Sequence, residues 1–147
     1  MSMTITPSQA SDYAEVLALL REVNLPTEGV LENFHNFLVA RATTGRLAGC
    51  VGQERYGNVA LLRSLAINPV FQGHGLGREL TLELLSVARS QKTEEVVLLT
   101  NTAADFFQRH FGFSPVERAR YETVLQNSPE WKLPRCASAV CLSLPLV

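Results

Sequence analysis

Residues 66–80 read AINPVFQGHGLGREL, with glycines at alternate positions, Gly73, Gly75 and Gly77. An apolar run, VALLRSLAI (59–67), precedes them, and a leucine stripe at helical spacing, Leu76, Leu80, Leu84 and Val87, follows. Bare backbone between a strand and a helix lets N–H groups converge with no side chain in the way, at the positive end of the helix. A pyrophosphate fits such a cradle, with Gln72 and Arg78 as further donors and His74 inside the loop. A P-loop is excluded, because Arg78-Glu79 stand where Lys-Ser/Thr is needed. A dinucleotide fingerprint fits poorly, because the spacing is G-x-G-x-G and the loop sits mid-chain after a hairpin. Glycines serving a tight connection alone are the remaining alternative.

The other elements follow from periodicity and turn residues. Residues 3–6 alternate as a short strand, and Ser8 or Ser11 is placed to cap a helix with apolar positions Tyr13, Val16, Leu17 and Leu20. NLPTEGV (24–30) breaks that helix, and a short one follows through Phe34. NFLVARAT (36–43) and LAGCVGQERY (47–56) read as paired strands, and Gly57-Asn58 as a two-residue hairpin turn into 59–67. EVVLLT (95–100) reads as a strand buried on both faces, AADFFQRHF as a short helix stopped by Gly112, FSPVERARY as extended, and ASAVCLSL (137–144) as a last strand. A meander followed by strand, helix, strand, helix implies a mixed α/β (α+β) sheet with helices on both faces.

Length predicts a single domain, 1–147. With 13 basic against 14 acidic residues, the chain lacks the basic excess of a non-specific nucleic-acid binder. No run approaches the ~20 apolar residues of a membrane span, and MSMTITPSQ has no signal-peptide character. Cys50, Cys136 and Cys141 have no zinc spacing, and no metal site is visible; reduced thiols in a cytoplasmic protein are expected, with Cys136 kept as a candidate substrate-site residue.

Gln72-x-x-Gly75-x-Gly77, preceded by SLAINP and followed by the leucine-striped helix, resembles the acetyl-CoA signature of the GNAT acyltransferase superfamily. LLTNTAADFFQRHFGF (98–113) is similar to that superfamily's strand, Asn, short helix and terminal Gly-Phe, here Asn101 and Gly112-Phe113. NLPTEGV, LLRSLAI and WKLPRCASAVCL look most like the arsenic-resistance N-acetyltransferase branch, and RSLAI is shared with amino-acid acetyltransferases of the acetylglutamate-synthase type. The resemblance implies a largely antiparallel sheet of six to seven strands, splayed between its two central parallel strands. It also implies acetyl-CoA as co-substrate, a small-molecule amine as partner and a homodimer. Acetyl-CoA would lie along Leu65, Ala66 and Ile67, then on Gln72, Gly73, His74, Gly75, Leu76, Gly77 and Arg78, with Asn101 and Phe107 beside it.

Acetyl transfer to an amine needs a base, alignment, an oxyanion donor and a proton for the leaving thiolate. Where the family often carries a Tyr for that last role, this chain has Phe107, leaving Tyr121, Tyr56 or water. Arg63 is the only ionisable side chain in its strand, and pairing about Gly57-Asn58 makes Glu54 its diagonal neighbour. That pair is either a structural salt bridge or a substrate-facing one, with Arg63 gripping an acidic group and Glu54 orienting it or acting as base. The expected function is N-acetylation of a small, amino-acid-like amine with an acidic group, an organoarsenical among them. A peptide N-acetyltransferase and a non-catalytic acyl-CoA sensor are the alternatives.

Overall fold

A computed structural model describes residues 3–147. Its strands are β1 (Met3–Pro7), β2 (Leu38–Ala42), β3 (Leu47–Tyr56), β4 (Val59–Ile67), β5 (Glu95–Thr100), β6 (Ser114–Pro115) and β7 (Val140–Pro145). The helices are α1 (Tyr13–Glu22), α2 (Val30–Asn33), α3 (Leu76–Ser90) and α4 (Ala104–Phe111). The strands form one sheet in the order β1-β2-β3-β4-β5-β7-β6. It is mostly antiparallel, with β4 and β5 as its parallel pair. The mixed sheet expected from the sequence is present. Among the described residues, no helix is long and apolar enough to cross a membrane.

The chain divides into two compact units, residues 1–53 with 63–87, and residues 54–62 with 88–147. In the first, β1 pairs with β2 from Met3↔Ala42 to Pro7↔Leu38, and β2 with β3 from Leu38↔Val51. Val16, Leu19 and Leu20, spaced for one helical face, pack with Phe34, Phe37, Val39, Cys50 and Ala66. Neither Ser8 nor Ser11 caps α1. The Ser8 hydroxyl donates to the Phe34 carbonyl, and the Asp12 carboxylate instead accepts the Gln9 N–H at 2.8 Å. A charged acceptor serves an orphan amide better than a hydroxyl. Arg41 of β2 then ties strand to helix, reaching Asp12 at 2.6 Å and Glu15 at 2.8 Å. Burial pushes the Asp12 carboxyl up, but the Arg41 hydrogen bond, the Gln9 amide and the Arg41 charge outweigh it and hold its pKa below the usual value.

In the second unit, β5 lies between β4 (Val59↔Glu95 to Leu61↔Val97) and β7 (Glu95↔Pro145 to Thr100↔Val140). Central placement accounts for its continuous apolar run, with Val96, Val97 and Leu98 all buried. The segment expected to be extended after Phe113 pairs with β7 only at Ser114 and Pro115. It then turns through a short 3-10 helix, Arg118–Tyr121. The Arg118 side chain ties that turn to the tail: it donates to the carbonyls of Cys136 (2.7 Å) and Trp131 (2.8 Å) and lies 4.5 Å over the Trp131 ring. Trp131, Tyr121, Leu125, Val97 and Cys141 form the core of this unit.

Two stability outcomes follow. A Cβ on Gly52 would lie 2.2 Å from the buried Phe37 ring. Gly52→Ala should therefore cost about 1–3 kcal/mol in urea unfolding, less than additively with Phe37→Leu. Arg41→Ala should cost about 1–2 kcal/mol at neutral pH. Asp12 has a depressed folded pKa, so its contribution is present above the ordinary value of 3.8 and lost as pH falls through the folded one. Urea melts at pH 7 and pH 3 should show the variant's deficit shrink in acid.

Candidate active site

The glycine loop is held at both ends and open between them. Asn68 fixes its start: its N–H donates to the Ala48 carbonyl at 2.8 Å, its side-chain amide to Leu47 at 3.1 Å, and its Oδ1 accepts the Val70 N–H at 3.1 Å. Phe71 is buried beneath it, and Leu76, Leu80 and Leu84 anchor α3 in the core. Between these anchors Gln72, Gly73, His74 and Gly75 are exposed. Gly73 and Gly75 have φ of 84° and 80°, a region that penalises any side chain, and a Cβ on either would meet nothing within 4 Å. The first amide paired at the head of α3 is that of Glu79, which donates to Gly75 at 3.1 Å. The N–H groups of Leu76, Gly77 and Arg78 precede it and have no acceptor within the helix. Arg78 itself is exposed on that first turn.

Gln72 differs from expectation. Its side-chain amide turns back to the Ile67 carbonyl at 3.4 Å, so it shapes the loop. In β4, Ala66 is buried in the first unit's core, whereas Leu65 and Ile67 are half-buried. One residue earlier lies a feature the sequence does not signal. Ser64 is buried and left-handed, with φ of 61°, inside a strand, where glycine or asparagine would have announced such a turn. Its carbonyl accepts the Cys50 thiol at 3.3 Å, and its hydroxyl accepts the Arg63 Nε at 3.0 Å. Arg63 is 2% exposed and also donates from Nη2 to the Pro26 carbonyl at 3.3 Å.

The remaining expected residues belong to the second unit. Glu54 is fully buried, and its carboxylate accepts the Tyr56 hydroxyl at 2.6 Å. Asn101 is exposed just past β5, where the Thr100 hydroxyl accepts the Ala103 N–H at 2.9 Å and leads the chain into α4. Phe107 is buried edge-on against Phe106 and Phe113. The Tyr121 hydroxyl donates to the Glu95 carboxylate, which also accepts from Ser143, both at 2.5 Å. Burial and the adjacent Glu95 push the phenol above its ordinary value. Cys136 is buried in the 3-10 turn Pro134–Cys136. Burial lifts the Cys50 thiol to about 12 and Cys141 to about 11. No cluster of metal-ligating side chains occurs among the described residues.

Residues 7–113 match the profile of the acetyltransferase (GNAT) family. Over 102 residues the chain is 33% identical to an amino-acid acetyltransferase of Mycobacterium tuberculosis, covering 67% of this chain and 56% of that protein. Over 95 residues it is 35% identical to the N-alpha-acetyltransferase RimI of the same organism, covering 61% and 60%. The match thus spans less than two thirds of either relative. In fold, the chain is similar to a Mycobacterium tuberculosis protein solved with CoA and NLQ, with a TM-score of 0.81 at 22% identity over 98% and 99% of the two chains. It is also similar to N-acetylglutamate synthase of Neisseria gonorrhoeae solved with coenzyme A and N-acetyl-glutamate, with a TM-score of 0.78 at 18% identity over 100% of this chain and 36% of that one.

Buried thiols with raised pKa values are poor nucleophiles. That applies to Cys50 and Cys141, and Cys136 is shielded by burial alone, so a disulfide reagent at pH 8 should leave all three cysteines of the native chain unmodified over minutes and titrate all of them in denaturant. Rapid native labelling of Cys136 would show its thiol accessible and support its expected place at the substrate site.

Proposed function

Because the chain belongs to the acetyltransferase (GNAT) family, we propose that it transfers the acetyl group of acetyl-CoA to the amine of a small, amino-acid-like molecule bearing an acidic group. The observation that carries this reading is the open lip from Gly73 to Arg78. There, two left-handed glycines face free space beside the first amides of α3. Those amides, the helix dipole and the Arg78 guanidinium together suit a diphosphate. Leu65 and Ile67, in the half-buried last stretch of β4, offer backbone groups to the pantetheine arm.

Transfer is direct, in a ternary complex. The amine nitrogen attacks the thioester carbon, the C–S bond breaks, the amine loses its proton and the thiolate takes one up. An acyl-cysteine intermediate is disfavoured by the burial of Cys50, Cys136 and Cys141. Phe107 has no proton for the thiolate, and the Tyr121 proton is engaged in its hydrogen bond to Glu95, so in this reading the thiolate is protonated from water. Glu54 remains the candidate base, reached through the Tyr56 hydroxyl that it binds.

The acceptor class is supported by the amino-acid acetyltransferase relative and by the fold neighbour solved with N-acetyl-glutamate. An organoarsenical amino acid is the more particular acceptor suggested by the sequence resemblance. The likeness to RimI supports a second reading, acetylation of a peptide amino terminus.

Free-thiol release from acetyl-CoA, measured with glutamate, aspartate, glutamine, an arsenical amino acid and a short peptide, separates these readings. Turnover is expected on an acidic small amine and not on the peptide. Peptide turnover alone would favour the second reading, and coenzyme A binding without turnover on any amine would favour a sensor. Gly75→Ala should weaken coenzyme A binding at least about tenfold in calorimetry, through the left-handed backbone it penalises. Absence of any association of the unmodified chain with millimolar coenzyme A would end the transferase reading.

A further inference from the structure

We propose that Ser64 is a positioning residue: its left-handed backbone turns its hydroxyl onto the Arg63 guanidinium, and Arg63, so aimed, holds the loop between α1 and α2 through the Pro26 carbonyl. What this positioning serves rests on the transferase reading together with the expectation from the sequence that Arg63 takes the acceptor's acidic group.

In a regular strand, consecutive side chains point to opposite faces, so a residue cannot hydrogen-bond the side-chain head of its predecessor across the pleat. Ser64 does so, with its Oγ 3.0 Å from the Arg63 Nε. The φ of 61° makes this possible by breaking the alternation at that residue. Serine gains nothing intrinsic from this conformation, and such backbone persists only where its surroundings over-determine it. Here the Cys50 thiol donates to the Ser64 carbonyl from β3, and the residue is buried.

The target is a guanidinium with 2% exposure, and a buried guanidinium must find acceptors for its fork of N–H groups. Fixing Nε on Ser64 sets the plane of that fork and directs Nη2 to the Pro26 carbonyl, 3.3 Å away and 37 residues earlier in the chain. Residues 23–29 contain no helix or strand, and Asn24 and Gly29 both have positive φ. A side-chain donor reaching the middle of such a segment gives it a definite position.

Ser64→Gly and Ser64→Ala test this by hydrogen exchange on the full chain. The amides to watch are those of Leu25, Val30 and Asn33, which donate to Leu20, Thr27 and Gly29. Ser64→Gly removes both the hydroxyl and the backbone penalty. It should be more stable in urea than Ser64→Ala, which keeps the backbone penalty, and should exchange at those amides about tenfold faster than the unmodified chain, with α3 unchanged. Ser64→Ala should show the same loop exchange at lower stability. With an acceptor that is turned over, both variants should raise the acceptor KM by about fivefold and leave the acetyl-CoA KM alone. Unchanged loop exchange in Ser64→Gly overturns the assignment, whatever the kinetics. Failure of the unmodified chain to bind coenzyme A would instead remove the transferase reading and leave the loop result standing.

Discussion

A guanidinium held away from water inside a sheet is the constraint around which the first unit is arranged. Removing Arg63 from solvent costs several kcal/mol unless its donors are met. The chain meets part of that demand with the next residue's hydroxyl and the carbonyl of Pro26. Meeting it forces a backbone irregularity into β4, and the β3 thiol of Cys50 secures that irregularity. Charge burial, strand geometry and loop placement are thus one problem with one solution.

The glycine loop solves a different problem, presenting polar backbone outward without collapsing. Rigidity is supplied from below: three hydrogen bonds at Asn68, the Phe71 side chain and the leucine face of α3. Among the residues left exposed, Gly73 and Gly75 carry no side chain at all. Preorganised donors bind an anion without first losing the entropy of a mobile loop. The same logic explains why Gln72 bends back to Ile67: it braces the turn and keeps the lip clear.

Much of this was legible beforehand because it is written in periodicity and in glycine. β3, β4 and β5 begin and end where alternation, the Gly57-Asn58 turn and the apolar run 95–100 place them, and α3 follows its leucine stripe. The open turn at Gly73 and Gly75 was legible because only glycine announces bare backbone. Ser64 was not, because serine gives no local sign of a positive φ, and the cause lies in partners from β3 and from its own predecessor. The helix entry at Asp12 was missed because Ser8, a good cap by type, had a distant carbonyl at Phe34 to bind. The role of Arg118 was not legible locally, because its partners, two main-chain carbonyls and an indole, lie 13 and 18 residues further on.

Arg118 grips the segment after it by main-chain oxygens and by the ring of Trp131, the two features of a tail that contains no strand between Glu122 and Ala139. Oxygens of the backbone are present whatever residue occupies a position. Substitutions at the exposed positions of that stretch are therefore tolerated, provided they spare the indole and the buried Leu125, Ser128, Glu130 and Cys136, and the tail can diversify there while its anchorage stays fixed.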